Sequence, residues 1–227
     1  MRLVLFDLDH TLLDGDSNQL WIEYLVAAGL ADGDALRRQD EDHARYLLGK
    51  LDIVAYIECQ LSLLVGDSVS NWLERRERFL ATKVAPRISA EAKGVVAAHR
   101  AAGDCAVIVS ATHSFLSGGV GALFGLDTLA PQPEVRDGCF TGRISGEICY
   151  AERKMACVSL WLARSGLSFG DFQETVFYSD SANDLPLLES VDRPVAVNAD
   201  ARLAAVATER GWPSLQWHCG GTGTVPR

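Results

Sequence analysis

The sequence LVLFDLDHT, residues 3–11, is the most informative stretch of the chain. Its first four residues form a continuous apolar run, which is typical of a strand buried on both faces in a parallel sheet. The run ends at Asp7 and Asp9, so two carboxylates lie at the carboxyl end of this strand. Open α/β sheets bind their ligands at that end of their strands. The stretch therefore predicts an α/β fold with a polar site beside residues 7–9.

The residues after this strand follow a helical pattern as far as residue 81. Apolar residues recur at helical spacing, and breaks at residues 29–33, 49–52 and 66–68 divide the segment into about four helices. No convincing strand candidate interrupts them. We therefore predict a helical bundle, residues 15–85, inserted after the first strand.

Strands and helices alternate again after Pro86. The predicted elements are a helix at 89–102, a strand at 106–110, a glycine-rich helical segment up to 126, an antiparallel excursion within 134–150, a helix at 152–165, strands at 175–179 and 194–198, a helix at 200–210 and a short strand near Leu215. This alternation is typical of a doubly wound parallel sheet. We therefore predict a core domain, residues 1–14 and 86–227, that carries the inserted bundle.

The composition is that of an ordinary globular protein of 227 residues, with 48% apolar and 22% charged residues. Disordered, coiled-coil and collagen-like chains have other compositions. Acidic residues outnumber basic ones by 30 to 21, and a net charge of −9 repels a nucleic-acid backbone. Neither a signal-peptide pattern nor a convincing membrane-spanning stretch is visible. We expect a cytoplasmic protein with neither nucleic acid nor a membrane as partner.

Polar residues follow three of the predicted strands at the point where each strand ends. They are Asp7 and Asp9, Ser110 and Thr112, and Asp180 and Asp184. Carboxylates crowded at one sheet edge repel each other unless a cation neutralises them, and oxygen ligands of this kind favour Mg²⁺. Taken singly, each residue has a plain alternative as a helix cap or a turn residue. Their order and spacing favour one shared magnesium site.

The ordered set of motifs resembles the haloacid dehalogenase superfamily of phosphohydrolases. Residues 7–11 look like its first motif, Ser110 like its second, Lys154 like its third, and SDSAND, residues 179–184, like its fourth. The helical insert between the first and second motifs is similar to the cap of the phosphoserine-phosphatase-like branch. So is GCFTGRI, residues 138–144. The resemblance implies a Rossmann-like core with a helical cap.

The resemblance also implies roles for the acidic residues. Asp7 would attack phosphorus and form an aspartyl-phosphate, while Asp9 would protonate the leaving oxygen and later deprotonate water. Mg²⁺ would be bound by the Asp7 side chain, the Asp9 backbone carbonyl and Asp180. Asp184 would bind the ion directly or through water, or would orient the other ligands.

Three further residues would contact the phosphate according to the same resemblance. Ser110 and Lys154 would hold the phosphoryl oxygens, and Lys154 would also offset their negative charge. Asn183 would donate to the same group. Judged from its position alone, in the first turn of a helix, Lys154 has a plain alternative as a solvated surface charge.

The leaving group of the substrate is less clearly encoded. Asp16 stands seven residues after Asp9, where phosphoserine phosphatases typically place a glutamate that meets the substrate ammonium group. Asp16 is equally suited to cap the first helix of the insert. The second motif continues as SATH, residues 110–113, which departs from the glycine-rich phosphoserine pattern. Thr112 and His113 are thus candidate substrate-binding residues, although a loop histidine is more often structural.

The sequence favours a Mg²⁺-dependent phosphomonoesterase that acts on a small amino alcohol or amino acid phosphate, such as histidinol phosphate or phosphoserine. The opening DLDHTLL, residues 7–13, is similar to that of a subgroup assigned to histidinol phosphate. A phosphotransferase or mutase on the same scaffold and a catalytically silent phosphate-binding regulator are the alternatives. Dehalogenase chemistry is disfavoured because it has no use for Asp9. The expected partner is a small phosphate ester, and the oligomeric state stays open.

Overall fold

The computed structural model describes residues 1–47 and 51–219. The strands of this part of the chain are β1 (Leu3–Phe6), β2 (Cys105–Val109), β3 (Asp127–Leu129), β4 (Gln132–Arg136), β5 (Cys139–Ser145), β6 (Thr175–Ser179), β7 (Arg193–Val197) and β8 (Ser214–Leu215). Its α-helices are α1 (Ser17–Ala27), α2 (Gly33–Leu47), α3 (Ile53–Ser62), α4 (Val69–Phe79), α5 (Ala90–Ala101), α6 (Ser114–Phe124), α7 (Arg153–Arg164), α8 (Leu185–Leu188) and α9 (Ala201–Arg210). Short π or 3₁₀ turns occupy Leu80–Val84, Ala85–Arg87, Phe169–Asp171 and Ala182–Asp184.

Six strands form one sheet in the order β3-β2-β1-β6-β7-β8. Every neighbouring pair is parallel, and β1 pairs with β2 on one side and with β6 on the other. The order of the strands changes direction beside β1. The carboxyl end of β1 therefore lies at the crevice where doubly wound sheets bind their ligands. The predicted α/β class and doubly wound parallel sheet are confirmed.

The two faces of the sheet bury opposite sides of β1. Val4 and Phe6 belong to a core shared with the helical insert, whereas Leu3 and Leu5 belong to a second core formed with α7, α8 and α9. Successive side chains of a strand alternate between the two faces, and here both faces are covered. This arrangement explains why β1 is apolar at every position.

Aromatic packing joins the helical insert to the sheet. Trp21 of α1 is only 2% exposed, and its ring meets the rings of Phe79 and Phe115 edge to face, with centroids 5.0 and 5.7 Å apart. Edge-to-face pairs of this kind add to the gain from burying aromatic area. Because Phe115 lies on α6, the contact fixes α1 against the helix that follows β2.

The sequence pattern misplaces the elements around β3. It does not predict β3, which has only three residues and follows Gly125, whose left-handed φ of 65° ends α6. The predicted antiparallel excursion is the hairpin β4–β5, which begins earlier than expected, at Gln132. The hairpin packs against α3, and Cys139 bridges to Ser68 of the insert. It thus lies with the helical insert.

The helical insert does not end at a sharp boundary. α4 continues directly into the π turn at Leu80–Val84 and the 3₁₀ turn at Ala85–Arg87. The proposed domain bounds at residues 15 and 85 therefore stay a prediction, and the predicted break at 49–52 lies partly outside the described residues. None of the helices in the described part of the chain has the length and apolarity of a membrane span.

Candidate active site

The carboxyl ends of β1, β2 and β6 meet the helical insert around one pocket. It encloses about 710 Å³, including the part that is open to solvent. Most of the residues predicted for the site line it, namely Asp7, Asp9, Asp16, Ser110, Thr112, Lys154, Asp180 and Asp184. The fold thus brings side chains from distant parts of the sequence to the predicted edge of the sheet.

Lys154 links two carboxylates in this pocket. Its Nζ donates to Asp7 Oδ1 at 2.6 Å and to Asp184 Oδ2 at 2.7 Å, and its side chain is 4% exposed. Ser179 Oγ also donates to Asp184 Oδ2 at 2.7 Å. Burial favours the neutral amine, but the charges of Asp184 and Asp7 outweigh it and raise the pKa of Lys154. Lys154 is a fixed internal positive charge, and its alternative as a solvated surface residue is wrong.

Asp180 lies in the same pocket, but its carboxylate has fewer stabilising contacts than that of Asp184. Thr11 Oγ1 donates to Asp180 Oδ1 at 3.3 Å. Burial and the negative charges of Asp7 and Asp184 raise the pKa of Asp180 well above its usual range. An added cation would therefore stabilise the ionised form of this carboxyl.

The oxygen donors of the pocket fit Mg²⁺. This ion usually takes one or two protein carboxylates and fills its other positions with water and phosphate oxygens. In residues 1–47 and 51–219, no three His, Cys, Asp or Glu side chains are grouped as a ready-made metal cage. Asp7 and Asp180 both line the pocket and offer carboxylate oxygens, which suit an ion of this chemistry.

Asp9 is held by neutral donors. Its Oδ1 accepts from the Ser17 backbone N–H, and its Oδ2 accepts from the Thr112 hydroxyl, each at 2.7 Å. Asn18 Nδ2 donates in turn to Thr112 Oγ1 at 2.9 Å. Burial and the nearby charge of Asp16 raise the pKa of Asp9 to about 6. Asp9 can therefore hold a proton close to neutral pH, as a general acid must.

Asp16 both caps a helix and lines the pocket. Its Oδ1 accepts from the backbone N–H groups of Asn18 and Gln19 at 2.8 and 2.9 Å. Both alternatives for Asp16 are thus compatible, because the two capping bonds use one oxygen. Ser110 is similar, since its Oγ accepts from the Thr112 backbone N–H at 3.1 Å and the residue also lines the pocket.

The structure does not bring His113 or Asn183 into the pocket lining. His113 is 1% exposed and its ring lies against that of Phe115, with centroids 6.2 Å apart. Burial lowers the pKa of His113 to about 4. Asn183 lies in a 3₁₀ turn, where its backbone N–H donates to Ser181 Oγ at 3.2 Å. The expected substrate contacts of these two residues therefore find no support, because His113 packs into the core and Asn183 lies outside the lining.

The insert contributes pocket residues that the sequence did not single out. They are Asn18, Asp42, Leu51, Ile53 and Tyr56. Asp42 pairs with Arg45 at 2.6 Å, and the Tyr56 hydroxyl accepts from Gln39 Nε2 at 2.9 Å. Asp42 stands within a run of charged residues and Tyr56 on a helix of mixed polarity, so neither carries a local signal. The one usable signal is that of Asn18, a polar residue two positions after Asp16.

Residues 4–189 match the haloacid dehalogenase-like hydrolase family. The chain belongs to this family. A histidinol-phosphatase of Neisseria meningitidis is 39% identical over 219 residues, which cover 95% of this chain and 99% of that protein. A phosphoserine phosphatase of Mycobacterium tuberculosis is 32% identical over 212 residues, which cover 91% of this chain and 68% of that one.

Solved structures agree with this assignment. A protein of unknown function from Bordetella pertussis Tohama I has a TM-score of 0.89 at 42% identity, covering 94% of this chain and 97% of that chain. A substrate-bound phosphoserine phosphatase has a TM-score of 0.67 at 19% identity, covering 94% and 91%, and shows the shared fold. Together the comparisons confirm the predicted family, its phosphoserine-phosphatase-like branch and the predicted enzyme class, a phosphatase.

Proposed function

We propose that this family member is a Mg²⁺-dependent phosphomonoesterase that releases phosphate from a small amino alcohol phosphate such as histidinol phosphate. The observation that carries the proposal is the contrast between the two sides of the pocket. Asp7, Lys154 and Asp180 lie at the sheet edge, while Asp16 and Asp42 border the same space from the insert. A phosphate ester bound at the first group places its leaving group beside the second.

Asp7 is the nucleophile of the proposed reaction. One of its carboxylate oxygens attacks phosphorus, a new P–O bond forms, and the bond from phosphorus to the leaving oxygen breaks. Asp9 delivers its proton to that oxygen, so that an alcohol departs. Lys154 and Ser110 hold the phosphoryl oxygens, and Lys154 offsets their charge.

Water then resolves the aspartyl-phosphate. The ionised Asp9 takes a proton from water, whose oxygen attacks phosphorus while the bond between phosphorus and the Asp7 oxygen breaks. Phosphate leaves, and both carboxyl groups return to their starting states. When bound by Asp7, Asp180 and the Asp9 backbone carbonyl, Mg²⁺ supplies further positive charge to the phosphoryl group. Asp184 keeps Lys154 in place through the 2.7 Å hydrogen bond.

The charges around the pocket favour a cationic leaving group. Asp16 and Asp42 are acidic, and among the described lining residues Lys154 is the one Lys or Arg. The carboxylate of phosphoserine would need a cationic partner of its own, because Lys154 donates to two carboxylates and its remaining N–H is assigned to the phosphoryl group. Ile53 and Tyr56 add apolar and aromatic surface that suits an imidazole ring. The relative from Neisseria named histidinol-phosphatase supports the same choice.

Phosphate release from a panel of esters tests the proposal. The purified protein is assayed in Mg²⁺ with histidinol phosphate, ethanolamine phosphate, phosphoserine and glycerol phosphate. We expect kcat/KM for histidinol phosphate to exceed that for phosphoserine by about 10-fold or more. Both EDTA and Asp7→Asn are expected to abolish turnover.

Each part of the proposal has its own contradicting result. A higher kcat/KM for phosphoserine than for both amino alcohol phosphates contradicts the substrate assignment. Full turnover in EDTA contradicts the metal requirement. Transfer of labelled phosphate mainly to an added alcohol, with little release to water, establishes a phosphotransferase in its place.

A further inference from the structure

Asn18, Thr112 and Asp9 form a chain of hydrogen bonds across three segments, and its first two members are buried. Asn18 lies on α1 of the insert, Thr112 in the loop after β2 and Asp9 in the loop after β1. Asn18 Nδ2 donates to Thr112 Oγ1 at 2.9 Å, and Thr112 Oγ1 donates to Asp9 Oδ2 at 2.7 Å. Asn18 and Thr112 are only 4% and 3% exposed. The insert therefore contacts the proposed general acid through a defined polar path.

The direction of this chain follows from the groups that form it. The amide nitrogen of Asn18 can only donate, so the Thr112 hydroxyl accepts from it and turns its single hydrogen toward Asp9. The shorter distance to Asp9 is in keeping with a carboxylate acceptor. The other oxygen of Asp9 accepts from the Ser17 backbone N–H at 2.7 Å. The carboxyl group is thus fixed at both of its oxygens.

Stability alone does not account for an asparagine at position 18. Its Oδ1 is buried and has no hydrogen-bond partner among the described residues. A buried amide oxygen without a donor destabilises a protein, whereas an apolar side chain of similar size would add packing. The value of Asn18 therefore lies in the hydrogen that it donates to Thr112.

We infer that Asn18 and Thr112 are positioning residues that aim the Asp9 carboxyl at the leaving oxygen of the substrate. The inference rests on the proposed function. The orientation of the Asp9 carboxyl matters most for an alkyl phosphate, because its alkoxide is a poor leaving group and departs only when it is protonated. An aryl phosphate such as 4-nitrophenyl phosphate releases a stable phenolate and needs little help from an acid. A misoriented Asp9 carboxyl should therefore slow the cleavage of alkyl phosphates more than that of aryl phosphates.

A comparison of two esters tests the inference. Values of kcat/KM are measured in Mg²⁺ for histidinol phosphate and 4-nitrophenyl phosphate, since kcat/KM reports cleavage of the ester and not later hydrolysis of the aspartyl-phosphate. Thr112→Val removes the hydroxyl and Thr112→Ser keeps it, while Asn18→Ala removes the donor from the insert. Gln19→Ala is the matched control on α1, because among the described residues the Gln19 side chain bonds only the exposed Glu23.

The expected result is a change in substrate preference. Thr112→Val and Asn18→Ala lower kcat/KM for histidinol phosphate by about 30-fold, and they lower the ratio of histidinol phosphate to 4-nitrophenyl phosphate by about 10-fold or more. Thr112→Ser and Gln19→Ala keep the ratio within about 2-fold of the parent value.

Equal losses on both esters, or no loss on either, overturn the inference and leave the proposed function intact. Because Thr112 and Asn18 lie on different elements, a folding defect in one variant leaves the other to decide. If the parent protein hydrolyses neither ester, the proposed function is overturned, and the inference with it.

Discussion

Asp7 and Asp9 are two residues apart in the chain, yet their side chains meet different surroundings. The ammonium group of Lys154 lies 2.6 Å from Asp7, whereas Asp9 accepts hydrogen bonds from neutral groups and lies near the charge of Asp16. A nucleophile must be ionised and a general acid must be protonated. The two environments therefore suit the two residues to the two halves of one reaction.

Removal of the Asp16 charge should shift the pH dependence of the enzyme. Burial and that charge raise the pKa of Asp9 to about 6, and a general acid loses activity as the pH rises through its pKa. Asp16→Asn removes the like charge and so lowers the pKa of Asp9. We expect the alkaline limb of kcat/KM to move to lower pH in a pH-rate profile for glycerol phosphate, an alkyl ester that needs the acid and has no ammonium group.

Glu23→Gln, on the exposed side of α1, is the control for this shift and should leave the profile in place. An alkaline limb that stays at the same pH in Asp16→Asn, or moves to higher pH, contradicts the electrostatic account.

Lys154 should matter for stability as well as for activity. Without it, Asp7, Asp180 and Asp184 are crowded carboxylates, and the described part of the pocket lining holds no other Lys or Arg. Removing one partner from a buried ion pair typically costs about 3–5 kcal/mol. We expect Lys154→Met to lower the free energy of unfolding by about 3 kcal/mol in EDTA, with partial recovery in Mg²⁺, as measured by urea unfolding.

The same variant should lose at least about 100-fold in kcat, because it lacks the charge that holds the phosphoryl group. Lys93→Met, at an exposed position of α5, is the matched control. Parent-like stability of Lys154→Met in EDTA would show that Lys154 does not compensate these carboxylates.

Among the elements, α6 has two glycines at which alanine substitution distinguishes the effect of packing from that of helix propensity. A methyl group on Gly121 would meet the Thr128 hydroxyl and would lie 2.9 Å from the Leu126 carbonyl oxygen, whereas a methyl group on Gly118 meets nothing within 4 Å. We expect Gly121→Ala to destabilise the protein by about 2 kcal/mol. Gly118→Ala should stabilise it by about 0.5–1 kcal/mol, because alanine favours a helix.

Urea unfolding of the two variants measures both effects against the parent protein. Equal changes in the two variants would contradict the close approach of α6 to β3.

The elements that the sequence predicts are those with a strong local pattern. The apolar run of β1 needs both faces covered, and the capping residues Asp16 and Asp200 begin α1 and α9. β3 has no such pattern, because it is short and its order comes from pairing with β2. The packing of the hairpin against α3 could not be predicted either, since contacts between distant segments do not appear in the periodicity of the sequence.

The site residues likewise include some that a local motif predicts and some that no local pattern predicts. Asp7, Lys154 and Asp180 follow from motifs that local chemistry makes intelligible, and the structure gathers them in one pocket. Asp42 and Tyr56 reach that pocket only through the packing of the helical insert on the sheet. His113 is a candidate for the pocket because it follows the second motif, but the structural alternative that the sequence favoured agrees with its burial at 1% exposure.

Because His113 is buried, we expect the whole molecule to lose stability in weak acid. Burial lowers the pKa of His113 to about 4 from an ordinary value near 6.5. Between these values the unfolded state binds more protons, so the contribution is complete above pH 6.5 and is lost as the pH falls toward 4. The expected loss from this group is about 3 kcal/mol.

Urea unfolding between pH 7 and pH 4.5 should show a weaker pH dependence for His113→Leu than for the parent. His218→Gln, at an exposed histidine, should keep the pH dependence of the parent. An unchanged slope in His113→Leu would contradict the burial of a neutral imidazole at this position.

In the proposed mechanism, Asp7 carries the phosphoryl group during hydrolysis of a cationic phosphate ester. The most direct test is acid quenching of the enzyme during turnover of histidinol phosphate in Mg²⁺, followed by peptide mass spectrometry. We expect one phosphoryl group on Asp7 in the parent protein and none in Asp7→Asn, which also releases no phosphate. A phosphoryl group on another residue, or parent-like turnover by Asp7→Asn, would contradict it.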